Sequence, residues 1–72
     1  MGKAVEVGQR LAQARKDAGY TQTQVGNLLN MAYQNYQKYE SGKVELSYDK
    51  LVFLCELFQV SADYLLGLDD ER

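Results

Sequence analysis

Thr21–Gly42, TQTQVGNLLNMAYQNYQKYESG, is the stretch whose local signals agree best along the chain. Thr21 is placed to cap a helix by accepting from the Gln24 backbone N–H, Gln24 is placed to reach back to Thr21, and Tyr20 precedes the cap as a staple onto Val25. Val25, Leu28 and Leu29 then fall at i, i+3 and i+4, which predicts one apolar stripe facing a core. Asn30 tolerates the left-handed conformation that stops a helix, so this helix should end near Leu29. After Met31 and Ala32 a second pattern runs from Tyr33 to Glu40. Tyr36 and Tyr39 share one face there, and Tyr33, Gln34, Gln37 and Lys38 lie off it. Gly42 supplies a residue that ends the second helix without a Cβ penalty.

Two short helices joined by about three or four residues make the helix-turn-helix connection, whose second helix enters the DNA major groove. Gln suits that groove because its amide donates and accepts at once, matching the N6/N7 edge of adenine. Three interleaved tyrosines also suggest a stacking platform for single strands. The three-residue spacing of Tyr36 and Tyr39 instead makes them core residues, with hydroxyls expected to reach the surface.

The stretch GYTQTQVGNLLNMAYQNYQKYESGK resembles the helix-turn-helix of the Cro/repressor-like (XRE) family of bacterial and phage regulators. Arg15, Gly19, Gln22, Val25, Leu29, Tyr36, Glu40 and Gly42 stand at that family's spacing, and the likeness covers roughly residues 5 to 67. Three positions depart from the pattern: Gly26 for Ala, Asn30 for Gly, and Ala32 for a Ser or Thr cap. The first two keep a small or tolerant residue, whereas Ala32 forgoes a cap worth roughly 0.5 to 2 kcal/mol. Arg15 sits beside an apolar stripe and would need a partner if buried. The resemblance implies Glu40, tying the first helix to the third, against the alternative that both charges are solvated. It also implies that Gln22 contacts the phosphate backbone and braces the recognition helix.

At 72 residues the chain is expected to be one domain, ordered over about 5–67. No His and a single Cys argue against zinc fingers, Ser/His or Cys/His catalysis and an intrachain disulfide, so neither an enzyme nor a metal or other cofactor is expected. Cys55 reads as a small buried apolar residue. No apolar run is long enough for a membrane span, and Met1 to Val7 lacks the apolar core of a signal peptide, which leads to an expected cytoplasmic location. The net charge of −2 is unevenly spread. Lys3, Arg10, Arg15, Lys16, Lys38 and Lys43 outnumber the acids of the first half, and the acids dominate beyond Val44, so the basic half is expected to face phosphate.

Working outward, a first helix is predicted over about Val5–Asp17. Val7, Leu11, Ala14 and Ala18 form its stripe, Glu6 and Arg10 pair at i, i+4, and Met1 to Ala4 fray. After a loop at Lys43–Leu46, Ser47 caps a fourth helix over Tyr48–Phe58. On its wheel Leu51, Leu54, Cys55 and Phe58 centre the buried face, with Val52 and Leu57 at the margins and Phe53 and Glu56 pointing away. Ser61 caps a short fifth helix that Gly67 stops, and an acidic tail over 68–72 is expected to be solvated.

The expected architecture is thus all-α, a five-helix repressor-like DNA-binding domain with helices 2 and 3 as the helix-turn-helix. The expected function is sequence-specific regulation of transcription, with repression the expected mode. Gln34 and Gln37 are assigned to base edges, Lys38 and Lys43 to phosphates, and Tyr33 either to a base or sugar or to covering the turn beside Met31. The expected partner is a pseudo-palindromic operator in double-stranded DNA, bound by a homodimer with Phe53 as the candidate interface residue. The alternative from another class is a protein-interaction module of antitoxin or antirepressor type on the same scaffold. Low positive charge favours it and the Gln-rich helix face disfavours it.

Overall fold

The computed structural model describes residues 2–71. Among them the chain forms five helices and no strands: α1 (Lys3–Asp17), α2 (Gln22–Leu28), α3 (Tyr33–Ser41), α4 (Tyr48–Phe58) and α5 (Ala62–Leu65). Each boundary has a local cause. Thr21 Oγ1 accepts from the Gln24 amide at 3.0 Å, and Gln24 Oε1 accepts from the Thr21 amide at 2.8 Å, so the reciprocal capping box is complete. Ser47 and Ser61 cap α4 and α5 through the Lys50 and Tyr64 amides. Asn30, at φ 60°, turns the chain out of α2, and Gly42, at φ 82°, closes α3.

α1 starts earlier than the fraying expected over Met1 to Ala4. Lys3 is already helical because its ammonium is held by Glu6 Oε1 at 2.9 Å and by the Leu66 carbonyl at 3.1 Å. Met1 lies outside the described residues.

Leu11, Ala14, Val25, Tyr36, Leu54, Phe58, Tyr64 and Leu65 form the core, with Tyr20, Leu29, Tyr39, Leu51 and Leu57 packed around it. Tyr20 lies against Phe58, ring centroids 5.9 Å apart. Three apolar residues placed on buried stripes or, for Val52, at the margin of one are in fact exposed. Ala18 is the C-cap of α1, past the last turn that faces the core. Leu28, 52 % exposed, closes a seven-residue helix whose buried positions are Val25 and Gly26. Val52, 56 % exposed, falls outside the α4 arc that Leu54 and Phe58 define.

The acidic tail is also less free than expected. Arg10 Nη1 donates to the Tyr64 and Asp69 carbonyls, its Nη2 pairs with Asp70 at 2.9 Å, and its guanidinium lies 5.0 Å from the centre of the Tyr64 ring. The expected Glu6–Arg10 contact is present, but long, at 3.7 Å. Arg10 therefore chiefly fastens residues 64–70 to α1; Arg72 lies outside the described residues.

α3 is held from both sides by helices that approach it through glycine. Gly8 of α1 is buried, and a Cβ there would collide with the Glu40 and Tyr39 carbonyl oxygens. At Gly26 of α2 a Cβ would come within 2.9 Å of the Met31 carbonyl oxygen. Small residues at these crossings bring α3 close to its supports and set its pose.

Candidate nucleic-acid interface

α3 is divided lengthwise by the helical period. Tyr36 is fully buried and meets the half-buried Tyr39 edge-on, with ring centroids 6.3 Å apart and planes at 72°. On the outer side Tyr33, Gln34, Gln37 and Lys38 are exposed. Lys43, also exposed, follows directly after the Gly42 stop, and its amide bonds to the Lys38 carbonyl at 3.0 Å. One short helix and the loop after it thus present aromatic, amide and cationic groups to solvent together.

The start of α3 has no side-chain cap. Ala32 has φ −65° and ψ 147°, the extended geometry of a capping residue, so only the hydroxyl is missing. Ala32→Ser is therefore expected to raise stability by ~0.5 to 1 kcal/mol, read as a higher Tm or denaturant midpoint. An unchanged midpoint would mean that water or another group already satisfies those amides.

Behind the exposed face lies a charged network. Arg15 Nε donates to Glu40 Oε2 at 2.6 Å, Arg15 Nη2 donates to Glu40 Oε1 at 3.2 Å, and Arg15 Nη1 donates to the Tyr20 carbonyl at 2.9 Å. The two side chains are only 10 % and 6 % exposed. Burial opposes the ionised Glu40 carboxylate, but hydrogen bonds from Arg15 and Gln22 outweigh it and hold its pKa below the usual glutamate value. Hydrogen bonding to Glu40 likewise raises the pKa of Arg15.

Tyr36 differs from expectation, because its hydroxyl is enclosed instead of reaching the surface. Burial and the nearby Glu40 carboxylate push its pKa far up. It lies close enough to feel both charges of the Arg15–Glu40 pair, and among the described residues no group makes a geometrically sound hydrogen bond with it.

Gln22 links this network to the exposed face. Its Nε2 donates to Glu40 Oε1 at 2.9 Å, and its Oε1 accepts from Gln37 Nε2 at 3.4 Å. Half-buried Gln22 thus touches the ion pair on one side and a candidate base-reading residue on the other.

The structure gathers Arg15, Gln22, Gln37 and Glu40 into one connected group and sets Gln34, Lys38 and Lys43 on the exposed surface around it. Tyr33 is 44 % exposed beside the Met31 turn, a position compatible with either role assigned to it. Phe53 stands apart on α4, only 37 % exposed, beside the more exposed Val52 and Tyr48. Sequence reasoning missed Gly8 and the Gln22–Gln37 contact. A glycine within a helix marks a close crossing only once its neighbour is known, and amide pairing depends on side-chain placement across two helices.

The helix-turn-helix family profile matches residues 11–65. The chain is 41 % identical over 66 residues to the HTH-type transcriptional regulator ImmR of Bacillus subtilis, an alignment covering 92 % of this chain and 52 % of that protein. It is also 41 % identical over 63 residues to the uncharacterized HTH-type transcriptional regulator YobD of Bacillus subtilis, covering 88 % and 56 %. With the cryptic phage CTXphi transcriptional repressor RstR of Vibrio cholerae it shares 32 % over 63 residues, covering 88 % and 56 %. The chain spans about half the length of the curated relatives it matches.

Proposed function

Because the chain belongs to the helix-turn-helix family, we propose that it is a sequence-specific regulator of transcription, of repressor type, that reads the major groove of duplex DNA with α3. One observation carries this reading: the exposed face of α3 bears Tyr33, Gln34, Gln37 and Lys38, and its opposite side is locked to α1 and α2 by a buried ion pair and a bridging amide. A reading helix needs a polar outer face and a fixed pose, and both are present here. Gln34 and Gln37 meet base edges, Lys38 and Lys43 meet phosphates, Gln22 steadies the helix, and Tyr33 covers a base or sugar. The surface beyond Val44, rich in acids, faces away from DNA. Such a regulator works in the cytoplasm, and among the described residues no helix is long and apolar enough to cross a membrane.

The reading includes a homodimer on a pseudo-palindromic operator. A module of this size rarely holds a specific site alone, and a two-fold pair would set two recognition helices about 34 Å apart, one turn of DNA. α4 offers the surface, since Tyr48, Val52 and Phe53 are apolar and exposed. Phe53→Glu is expected to weaken self-association in sedimentation on and off DNA while helicity is unchanged. A protein that stays monomeric even when bound would remove the dimer and leave Phe53 as a partly covered core residue.

The reading is tested by selecting binders from genomic fragments and comparing variants on the recovered site. Gln34→Ala is expected to relax preference at particular base pairs, costing ~1 to 3 kcal/mol there, with little effect on random DNA. Lys38→Ala and Lys43→Ala are expected to weaken all sequences alike and to flatten the salt dependence by roughly 0.9 log units for each phosphate that is no longer neutralised. Equal losses on operator and random DNA for the Gln variant would transfer the weight to a protein-binding role.

A further inference from the structure

We infer that Gln22 and the ion pair behind it fix which way round the Gln37 carboxamide faces, so that Gln37 reads the exocyclic amino group of its base pair, adenine N6 or cytosine N4, and not the keto oxygen. The inference rests on the DNA-reading assignment above and adds to it the chemical group that is read.

A solvated glutamine amide has two ends of nearly equal shape and turns over freely. It offers its NH2 to a keto oxygen as readily as it offers its oxygen to an amino group. Gln37 has lost that freedom through a chain of partners with only one possible polarity. Arg15 is a donor only, and Glu40, ionised beside it, is an acceptor only. The end of Gln22 that meets Glu40 Oε1 at 2.9 Å must therefore be Nε2, which leaves Oε1 as its other end. That oxygen faces Gln37 at 3.4 Å, and the Gln37 end facing it must again be Nε2, because two carbonyl oxygens repel. A contact of 3.4 Å is long, so what it contributes is orientation.

The polarity of a buried charge pair thus passes through one amide to an exposed one. Gln37 Oε1 is the end turned away from the network, and an acceptor in the major groove matches N6 of adenine or N4 of cytosine and is repelled by O4 of thymine or O6 of guanine. The remaining Gln37 N–H is free to add a contact to adenine N7 without changing this requirement.

Every base pair carries one amino and one keto group in the major groove, so the test removes them singly. The operator recovered by selection is first probed with Gln37→Ala to locate the base pair whose preference flattens. Duplexes are then made with analogues lacking only the amino group or only the keto oxygen at that pair, and affinities are measured for wild type, Gln37→Ala and Gln22→Met. Wild type is expected to lose roughly tenfold when the amino group is absent and under about threefold when the keto oxygen is absent, with the difference abolished in Gln37→Ala. Gln22→Met keeps side-chain length without amide ends and should make the two deletions equal in cost.

A larger loss on keto deletion, or an unchanged asymmetry in Gln22→Met, overturns the inference while DNA reading stands. A Gln37→Ala variant that flattens no position does the same. If wild type recovers no sequence at all, the DNA reading falls and the inference with it. Should Gln22→Met fail to fold by circular dichroism, the wild-type asymmetry measured against Gln37→Ala still decides.

Discussion

Arg15→Ala and Glu40→Ala are each expected to destabilise the chain by ~3 to 5 kcal/mol, and the double substitution should cost clearly less than the sum. Each single change strands a charge in a site where the partner side chains are 10 % and 6 % exposed. Arg15→Ala leaves the Glu40 carboxylate against the Gln22 amide with no cation beside it, and Glu40→Ala leaves the Arg15 guanidinium on the neutral Tyr20 carbonyl. The double variant removes both problems and retains only the loss of the tie between α1 and α3. Denaturant unfolding of the four proteins measures the coupling, and strictly additive losses would show that the two charges act independently.

The same pair gives the chain an acid-sensitive element. The Glu40 carboxylate is held below its ordinary value of 4.5, so its share of stability is fully present above that value and is lost as pH falls below 4.5 towards the depressed folded pKa. Arg15, whose pKa is raised, stays charged across this range and adds no pH dependence. The stability profile of Glu40→Gln should consequently lie lower at neutral pH and fall less on acidification. An acid limb as steep as that of wild type would assign the loss to other carboxylates.

What the sequence revealed and what it concealed divide along a physical line. Caps and stops are local, since the Thr21–Gln24 box, Ser47, Ser61, Asn30 and Gly42 act within four residues of chain. Helix limits set by them were therefore readable, down to the bounds Tyr48 and Phe58 of α4. Burial is not local. Leu28 and Val52 are apolar at helical spacing yet exposed, because a short helix buries only the arc that its neighbours cover. Arg10 looked like one half of an intrahelical pair, and only the return of residues 64–70 past α1 gives it backbone carbonyls to hold. The candidate reading face was legible from the period of α3, whereas the Gln22 link that orients it depends on how α2 crosses α3.

Gly8→Ala should carry the other large effect, out of proportion to the methyl it adds. Elsewhere in a helix the change gains up to about 1 kcal/mol through propensity. Here the new Cβ would collide with the backbone carbonyl oxygens of Glu40 and Tyr39, which cannot rotate aside as a flexible side chain does. α1 and α3 must then separate, and overpacking of this kind costs ~1 to 3 kcal/mol, more where no relaxation is open. Glu40 belongs to the very turn that is pushed, so the 2.6 Å Arg15–Glu40 contact should lengthen as the helices part. Two readouts separate this account from a simple change of helix propensity. Unfolding should show a net loss where propensity alone would give a gain. Combining Gly8→Ala with Glu40→Ala should cost less than the sum, because the wedge has already strained the pair. A variant as stable as wild type would mean that the crossing has slack, and that the pose of α3 is set by Gly26 and the α2 contact instead.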